Sequence, residues 1–446
     1  MKIILIISCF CIAFASFAQQ DSTVVDDDDL FDMSLEELLK LDIVDHNFYL
    51  YGYINSNLQK TFEYPSIGEN EEILTTTEPF EWTPVRNFHI YGKGNFNRKI
   101  SYLFNLARNE DLLEIRNAWG NFALKDILQV RVGKMYRKFG LYNERLDQIP
   151  TFIGIEAPEM LDTDHLFLTR TTNFMIHGRH QNHHHNISYA LMTDNGENGP
   201  IKNLMPLGWD FRYKSFSKSL IVGTSGYASS INKTKSTSTV GFAEGSPKGG
   251  ILPWMSGDRF VVAGIFLEKQ IGKLLIQSEY YNASHQAERD ASAIITLIND
   301  GGINQWQRKR FLGANVNSNE PLSEDHVQIK TSYNVQTWYI RLGYNVQTDA
   351  GQFIPYVFLD WMSYPEVIQR KVYGGDDEAG LADDGKFWKP SVGLVYKPIS
   401  NVAIKLDGSY HIQQYNGKQV TYPEIRLDFS FAFSNNQIDK IIGGDQ

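Results

Sequence analysis

Asp407, Ser409 and His411 bring the side-chain types of a nucleophile–base–acid relay into one short segment. The spacing argues against that chemistry. On an extended strand alternate residues stand about 6.6–6.8 Å apart, whereas a nucleophile and its base must approach to about 2.6–3.2 Å. His177, His180, His183, His184 and His185 form an imidazole cluster that could hold Zn²⁺ or Cu²⁺. No carboxylate accompanies them at a fixed spacing. Asp376, Asp377 and Glu378, with Asp383 and Asp384, could offer oxygen ligands to Ca²⁺, but not at EF-hand spacing. No catalytic residue, metal site or cofactor is assigned on these grounds. The more extensive pattern is a set of charges at alternate positions. Lys93, Arg116, Arg131, Arg179, Arg212, Lys214, Arg341, Lys405 and Arg426 are basic; Glu114, Asp210, Glu279, Asp407, Glu424 and Asp428 are acidic. A ring of such charges in a narrow channel with low-dielectric walls would bias which ion enters.

The elements that must position these charges are strands. Ile425, Leu427, Phe429, Phe431 and Phe433 alternate with Glu424, Arg426, Asp428, Ser430 and Ala432. The segments around Trp338–Val346, Val402–Ile412 and Trp209–Tyr213 repeat the pattern. Successive strand side chains point to opposite faces, so one face is greasy and the other polar. About sixteen such segments of membrane-crossing length can be placed between residues 48 and 433. Their connections alternate between tight turns, such as Lys125-Asp126 and Ile271-Gly272, and longer stretches at 63–85, 137–169, 195–206, 230–257, 286–334 and 365–385. That alternation is the habit of a transmembrane barrel. The expected fold is therefore all-β: an antiparallel transmembrane β-barrel of about sixteen strands, apolar toward lipid and charged toward a wet lumen.

Composition agrees. The 446-residue chain has a formal net charge of −10, 42% hydrophobic and 13% aromatic residues, with a mean hydropathy of −0.32. Beyond the first residues it contains no apolar run of about 18, so no transmembrane helix is expected. Net acidity speaks against a nucleic-acid partner. Residues 1–18 read as a secretory signal ending in Ser16-Phe17-Ala18; a lipoprotein signal at Cys9 is the rival. Cys9 and Cys11 both lie in this segment, so the mature chain would have no thiol. Residues 19–47 form a leader with an acidic run, Asp26 to Asp29, and a short amphipathic helix over Met33–Val44. Ser34 and Glu37 are spaced as a capping box. The barrel occupies 48–433 and a tail 434–446.

Arg116-Asn117-Ala118-Trp119, Gln129-Val130-Arg131-Val132-Gly133-Lys134 and Lys138-Phe139-Gly140 resemble the porin O and P family, the phosphate-selective porins. The resemblance implies a sixteen-stranded homotrimeric barrel, a long loop folded back to narrow the pore, and basic residues along the channel. This sequence departs from the family in having no dense arginine ladder and in continuing past Phe433.

The expectation is a bacterial outer-membrane channel that passes small hydrophilic or anionic solutes, phosphate among them, without covalent chemistry. Pore-lining residues would be Lys93, Arg116, Arg131, Arg212, Lys214, Arg341, Lys405 and Arg426. Arg137, Lys138, Arg145 and Asp147 would belong to the constricting loop, facing acids such as Glu144, Glu156 and Glu159. The alternative is a plugged or gated barrel serving as a surface enzyme, adhesin or nutrient receptor. A helical pattern at Ala291, Ile294, Ile295 and Ile298 marks a second long loop.

Overall fold

The computed structural model describes residues 48–434, except 68–72, 110–111, 146–152, 161–165, 167–169, 183–184, 195–205, 216–218, 233–251, 253, 300–304, 313–321, 369–384 and 416–417. The expected signal, leader and tail, Asp147, His183, His184 and the acidic run at 376–384 lie outside the described residues.

In chain order the strands are β1 (Phe48–Thr61), β2 (Tyr64–Ile67), β3 (Ile73–Thr76), β4 (Glu81–Asn97), β5 (Ile100–Asn109), β6 (Leu112–Lys125), β7 (Leu128–Tyr136), β8 (Arg170–Gln181), β9 (His185–Asp194) and β10 (Leu207–Ser215). They continue as β11 (Leu220–Asn232), β12 (Met255–Ile271), β13 (Leu274–Arg289), β14 (Lys330–Tyr344), β15 (Val346–Thr348), β16 (Gly351–Ser363), β17 (Lys386–Ile399), β18 (Val402–Tyr415) and β19 (Lys418–Ser434). β2 and β3 pair only with each other, and β15 continues β14 past Asn345. The remainder is one closed antiparallel barrel of sixteen strands. Closure is made by β1 on β19, with Tyr53 opposite Ala432 and Leu58 opposite Leu427. A closed sheet leaves no row of unpaired N–H and C=O groups, which hydrocarbon would not tolerate.

Burial assigns the two faces. On β19 Phe429 is 49% exposed while its neighbour Asp428 is 1% exposed. Leu427, Phe431, Leu406, Val357 and Ile265 likewise face outward, whereas Arg426, Lys405 and Glu279 are buried inside. A greasy exterior around a charged interior is the reverse of a water-soluble barrel and the rule for one in lipid. The chain is an outer-membrane β-barrel of a bacterium.

One end of the barrel is closed by short turns, including Arg98-Lys99, Gly272-Lys273 and Asp349-Ala350. Asn97 nucleates the first by accepting hydrogen bonds from the Lys99 and Ile100 amides at 2.8 and 2.9 Å. Gly272 has φ +58°, a conformation that a tight hairpin demands and glycine adopts without penalty. The long connections gather at the other end.

Several strands reach further toward the long loops than the hydrophobic alternation indicated. β4 begins at Glu81, β14 at Lys330 and β19 at Lys418. These extensions keep their ladder, with Lys330 opposite Glu288, but no longer need one apolar face. The β2–β3 hairpin falls within a segment expected to be loop. The second long loop contains α1 (Ala291–Asn299) and α2 (Gln305–Phe311). Asp290 caps α1 by accepting the Ala293 amide at 3.1 Å. Ile294 and Leu297 of α1 join a buried cluster with Trp254, Phe311, Tyr364 and Ile368, so this helix presents its apolar face to protein.

Candidate functional site: a loop latched inside the barrel

The connection from β7 to β8 turns into the barrel interior. Its described stretches, 137–145 and 153–160, contact inward-facing residues from β9 around to β19.

The turn begins at Arg137, 1% exposed. Its Nε donates to Asp194 at 2.7 Å and its Nη2 to the Tyr227 hydroxyl at 2.7 Å. The guanidinium also lies 3.8 Å over the Tyr227 ring. Thr171 and Tyr227 donate to the same Asp194 carboxylate. Asn143 closes the turn by donating to the Arg137 carbonyl at 2.6 Å.

Glu279 of β13 receives the next part of the loop. Its carboxylate accepts the Leu141 amide at 3.0 Å, the Tyr142 amide at 3.1 Å, the Tyr281 hydroxyl at 2.9 Å and the Tyr339 hydroxyl at 2.8 Å. Such charge-assisted bonds are roughly twice as strong as neutral ones. The approach is possible because Gly140, at φ +61°, has no Cβ; one would overlap the Glu279 carboxylate. Gly140 donates to Ser225 at 2.9 Å and accepts from Arg212 at 2.8 Å. Arg212 also bridges Asp210 and Glu144, at 2.6 and 2.8 Å. Arg145 makes a two-pronged pair with Glu268 at 2.6 and 3.3 Å.

The second stretch is held by cations. Lys405 donates to the Gly154 carbonyl at 3.0 Å and Arg341 to the Glu156 carbonyl at 3.1 Å. Arg341 also holds the Tyr142 hydroxyl, linking both stretches. Lys389 sits 2.9 Å from both Glu156 and Glu159, and Arg426 pairs with Glu156 as well as Glu424. The Glu159 amide donates to Asp360 at 2.7 Å. Burial pushes the Glu156 carboxyl up, but Arg426 and Lys389 outweigh it and hold the group well below the usual carboxylate range. Burial raises the Tyr142 hydroxyl, only partly offset by Arg341.

The remaining inner wall, from β1 and β4 to β8, is of different composition. Asn55, Asn57, Asn105, Asn117, Asn121 and Asn173 are buried there with Tyr53, Tyr91 and His89. Tyr51 and Tyr91 stack at 4.7 Å, and Tyr53 stacks on His89 at 4.7 Å. Lys93, Arg116, Arg131 and Arg179 face inward too. Arg116 pairs with Glu114 at 2.6 Å, and Arg131 lies 4.2 Å over the Trp119 ring.

All eight expected pore-lining residues lie on the inner face: seven are buried and Arg131 is half-buried. Arg212, Arg341, Lys405 and Arg426 are brought together with the loop; Lys93, Arg116 and Arg131 stand on the opposite wall. Of the loop residues, Arg137 and Arg145 grip the wall and Lys138 lies 3.8 Å from Glu144. The sequence sets opposed charges within the loop; in the structure Glu144 and Glu156 meet cations of the wall, Arg212, Lys389 and Arg426. Sequence reading missed Lys389 and Asp360, though the outward Trp388, Val392 and Leu394 fix Lys389 inward by parity. It also missed the extra residue in β6. Asn105 faces Asn117 but Leu106 faces Ile115, so Arg116 is bulged out of the pairing. Arg116 and Asn117 are both buried in consequence.

Ser409 Oγ lies 3.4 Å from His411 Nε2, longer than a working nucleophile–base contact. Asp407 accepts from Tyr356 at 2.7 Å instead of orienting His411, which stacks on Tyr422 at 4.2 Å. His177 bonds Asn121 at 2.7 Å, and no group of three metal-ligating side chains occurs among the described residues.

No family model matches this sequence, and no curated relative matches it. Solved structures resemble it in fold. The anion-selective porin from Comamonas acidovorans is 8% identical with a TM-score of 0.50, covering 86% of this chain and 99% of its own. DcaP, an outer membrane channel of Acinetobacter baumannii, is 9% identical with a TM-score of 0.47 over 86% and 97%. OmpT, an outer membrane protein of Vibrio cholerae, is 11% identical with a TM-score of 0.48 over 86% and 97%. The first of these likenesses carries the barrel fold.

Proposed function

We propose that this barrel is a porin that passes small hydrophilic solutes by diffusion, with no covalent step. The observation that carries the reading is the loop clasped to one side of a charged interior. Sixteen-stranded barrels are wide enough for an aqueous channel, and a loop held against β9–β19 narrows the lumen without needing to close it. The passage would run between residues 137–160 and the wall of β1 and β4–β8.

The same geometry supports a mild anion preference. On the wall facing the passage Lys93, Arg116, Arg131 and Arg179 outweigh Glu114. Tight phosphate selection is less well supported, because Arg341, Lys389, Lys405 and Arg426 are already engaged by the loop. Assignment to the porin O and P family in particular rests on the residues in 113–140. The homotrimer implied by that resemblance belongs to the same proposal, and migration of the unboiled protein on a denaturing gel reads it.

Single-channel recording of the purified barrel in a planar bilayer under a salt gradient tests the reading. Stable steps with a reversal potential toward anions are expected. A folded barrel without conductance would remove the porin proposal, and cation preference would remove its electrostatic part.

A further inference from the structure

The wall opposite the latched loop holds buried polar atoms that no protein group satisfies. Tyr51, Tyr91, Asn105 and Asn117 stand in register across β1, β4, β5 and β6. Three strand spacings make this row about 14 Å long. Within and beside it the Tyr51 hydroxyl, Asn55 Oδ1, Asn57 Nδ2, Asn105 Oδ1, Asn117 Nδ2 and Asn173 Oδ1 are buried without a hydrogen-bond partner. The five asparagines are each at most 3% exposed. An unsatisfied buried polar atom is costly, so a patch of them favours any partner, water or solute, that can hydrogen-bond to it.

The orientation of the amides defines its chemistry. Asn55 uses its Nδ2 on Asp428 at 2.6 Å, and Asn105 places its Nδ2 3.3 Å from His89. Their carbonyl oxygens are thereby left as acceptors, as is that of Asn173, whose Nδ2 points to the Met135 carbonyl at 3.5 Å. Asn57 and Asn117 offer donors, and Tyr51 can do either. Because Tyr51 and Tyr91 are stacked within 3° of parallel, their rings cover each other. The Tyr51 hydroxyl is buried with the amides, so a solute reaches it by parting the side chains around it.

We propose that this strip binds neutral polyhydroxylated solutes of the sugar class, an inference that rests on the porin reading for their access to it. Hydroxyl groups donate and accept, and so match a wall of alternating acceptors and donors. Inorganic phosphate near neutral pH carries at most two hydroxyls, so it offers too few donors for Asn55, Asn105 and Asn173 together, and it brings a charge that the Tyr51–Asn117 row does not neutralise.

The test measures binding and conduction separately on the full-length barrel. Calorimetry in detergent with maltotriose, and with inorganic phosphate at matched ionic strength, reads binding. Bilayer recordings with the same two probes read interruption of the potassium chloride current. Maltotriose should bind and block, and phosphate should do neither at the strip. Tyr51→Phe, which keeps the ring, and the double variant Asn105→Ala/Asn117→Ala should weaken maltotriose by about three- to tenfold per hydrogen bond lost. Heat-dependent gel migration establishes that each variant is folded. Maltotriose binding without any conductance would uphold the strip and remove the porin reading. Normal conductance with no maltotriose binding would overturn the strip and leave the porin. Phosphate binding that weakens in Asn105→Ala/Asn117→Ala would also overturn it.

Discussion

The two sides of the inner wall use polar residues for different ends. From β10 to β19, charges such as Arg212, Glu279, Lys389 and Arg426 are dense and spent on one another and on the loop. From β1 to β8, the wall is mostly amide and phenol, with cations more widely spaced. A paired charge contributes little field at a distance, while a spaced cation or an unsatisfied amide still acts on what passes. Charge density along a barrel wall is therefore a poor guide to the field it leaves in the lumen. On the proposed reading the crowded side builds the constriction and the sparser side is left for solute.

The largest effect should come from Glu279→Ala. It removes one acceptor from two backbone amides and two tyrosine hydroxyls, and each orphaned donor costs about 1–3 kcal/mol. The Gly140–Asn143 turn should leave the wall and single-channel conductance should rise severalfold. Asn105→Ala, on the facing wall, should leave the potassium chloride conductance near wild type. Equal rises in both variants would erase the distinction between the sides.

Glu156→Gln should be next. Removing one partner of a buried pair costs about 3–5 kcal/mol; here the loss is smaller, because Lys389 keeps Glu159 and Arg426 keeps Glu424. The expected phenotype is a flickering channel whose loop is cut faster by added protease. Adding Lys389→Met should deepen the loss, since Glu159 would then be buried without its cation. Recovery instead would mean that Lys389 serves Glu156 alone.

Selectivity separates the walls more finely. Arg131→Gln should shift the reversal potential toward cations, because Arg131 is half-buried over Trp119 and bears on the passage. Lys405→Gln should shift it less, because Lys405 is buried against the Gly154 carbonyl. Reversal potentials under a tenfold salt gradient distinguish the two. A larger shift from Lys405 would place the passage on the wrong side of the loop.

What could be read from the sequence follows from what has a local period. The alternation of Phe429 and Phe431 with Asp428 and Ser430 is visible in the chain, and so were the strands, their faces and the inward position of Arg341 or Lys405. Strand ends were less visible because Glu81 and Lys330 lie where one apolar face is no longer needed. The β6 bulge was invisible, since one inserted residue leaves composition unchanged while reversing every later face. The latch was invisible for another reason. Glu279 lies 138 residues from Leu141, and no periodicity links a loop carboxylate to the wall cation that will hold it. Only the long 137–169 connection and its mixed charges marked the place.

The smallest effect concerns acid, and its direction follows from Glu156. The carboxyl has Arg426 and Glu424 of β19 beside it, Lys389 of β17, Asp360 of β16 and Asp407 of β18; Arg341 of β14 holds its carbonyl. Burial alone would make it easier to protonate, but Arg426 and Lys389 depress its pKa in the folded protein. A depressed carboxylate contributes stability above its unfolded pKa of about 4.3, and loses it only as pH falls through the lower folded value. The difference in loop protection between wild type and Glu156→Gln should therefore stay constant from pH 8 to about pH 5. It should shrink only in stronger acid. Taking the difference cancels groups that do not feel Glu156; Asp360, Asp407 and Glu424 do feel it, so the same difference is also read in an Asp360→Asn background. Protease cleavage rates of the two proteins across that range supply the measurement. A difference that collapsed between pH 7 and pH 5 would mean that Glu156 is not held by two cations, and the crowded wall would then be a gate set by ordinary acidity rather than a fixed clasp.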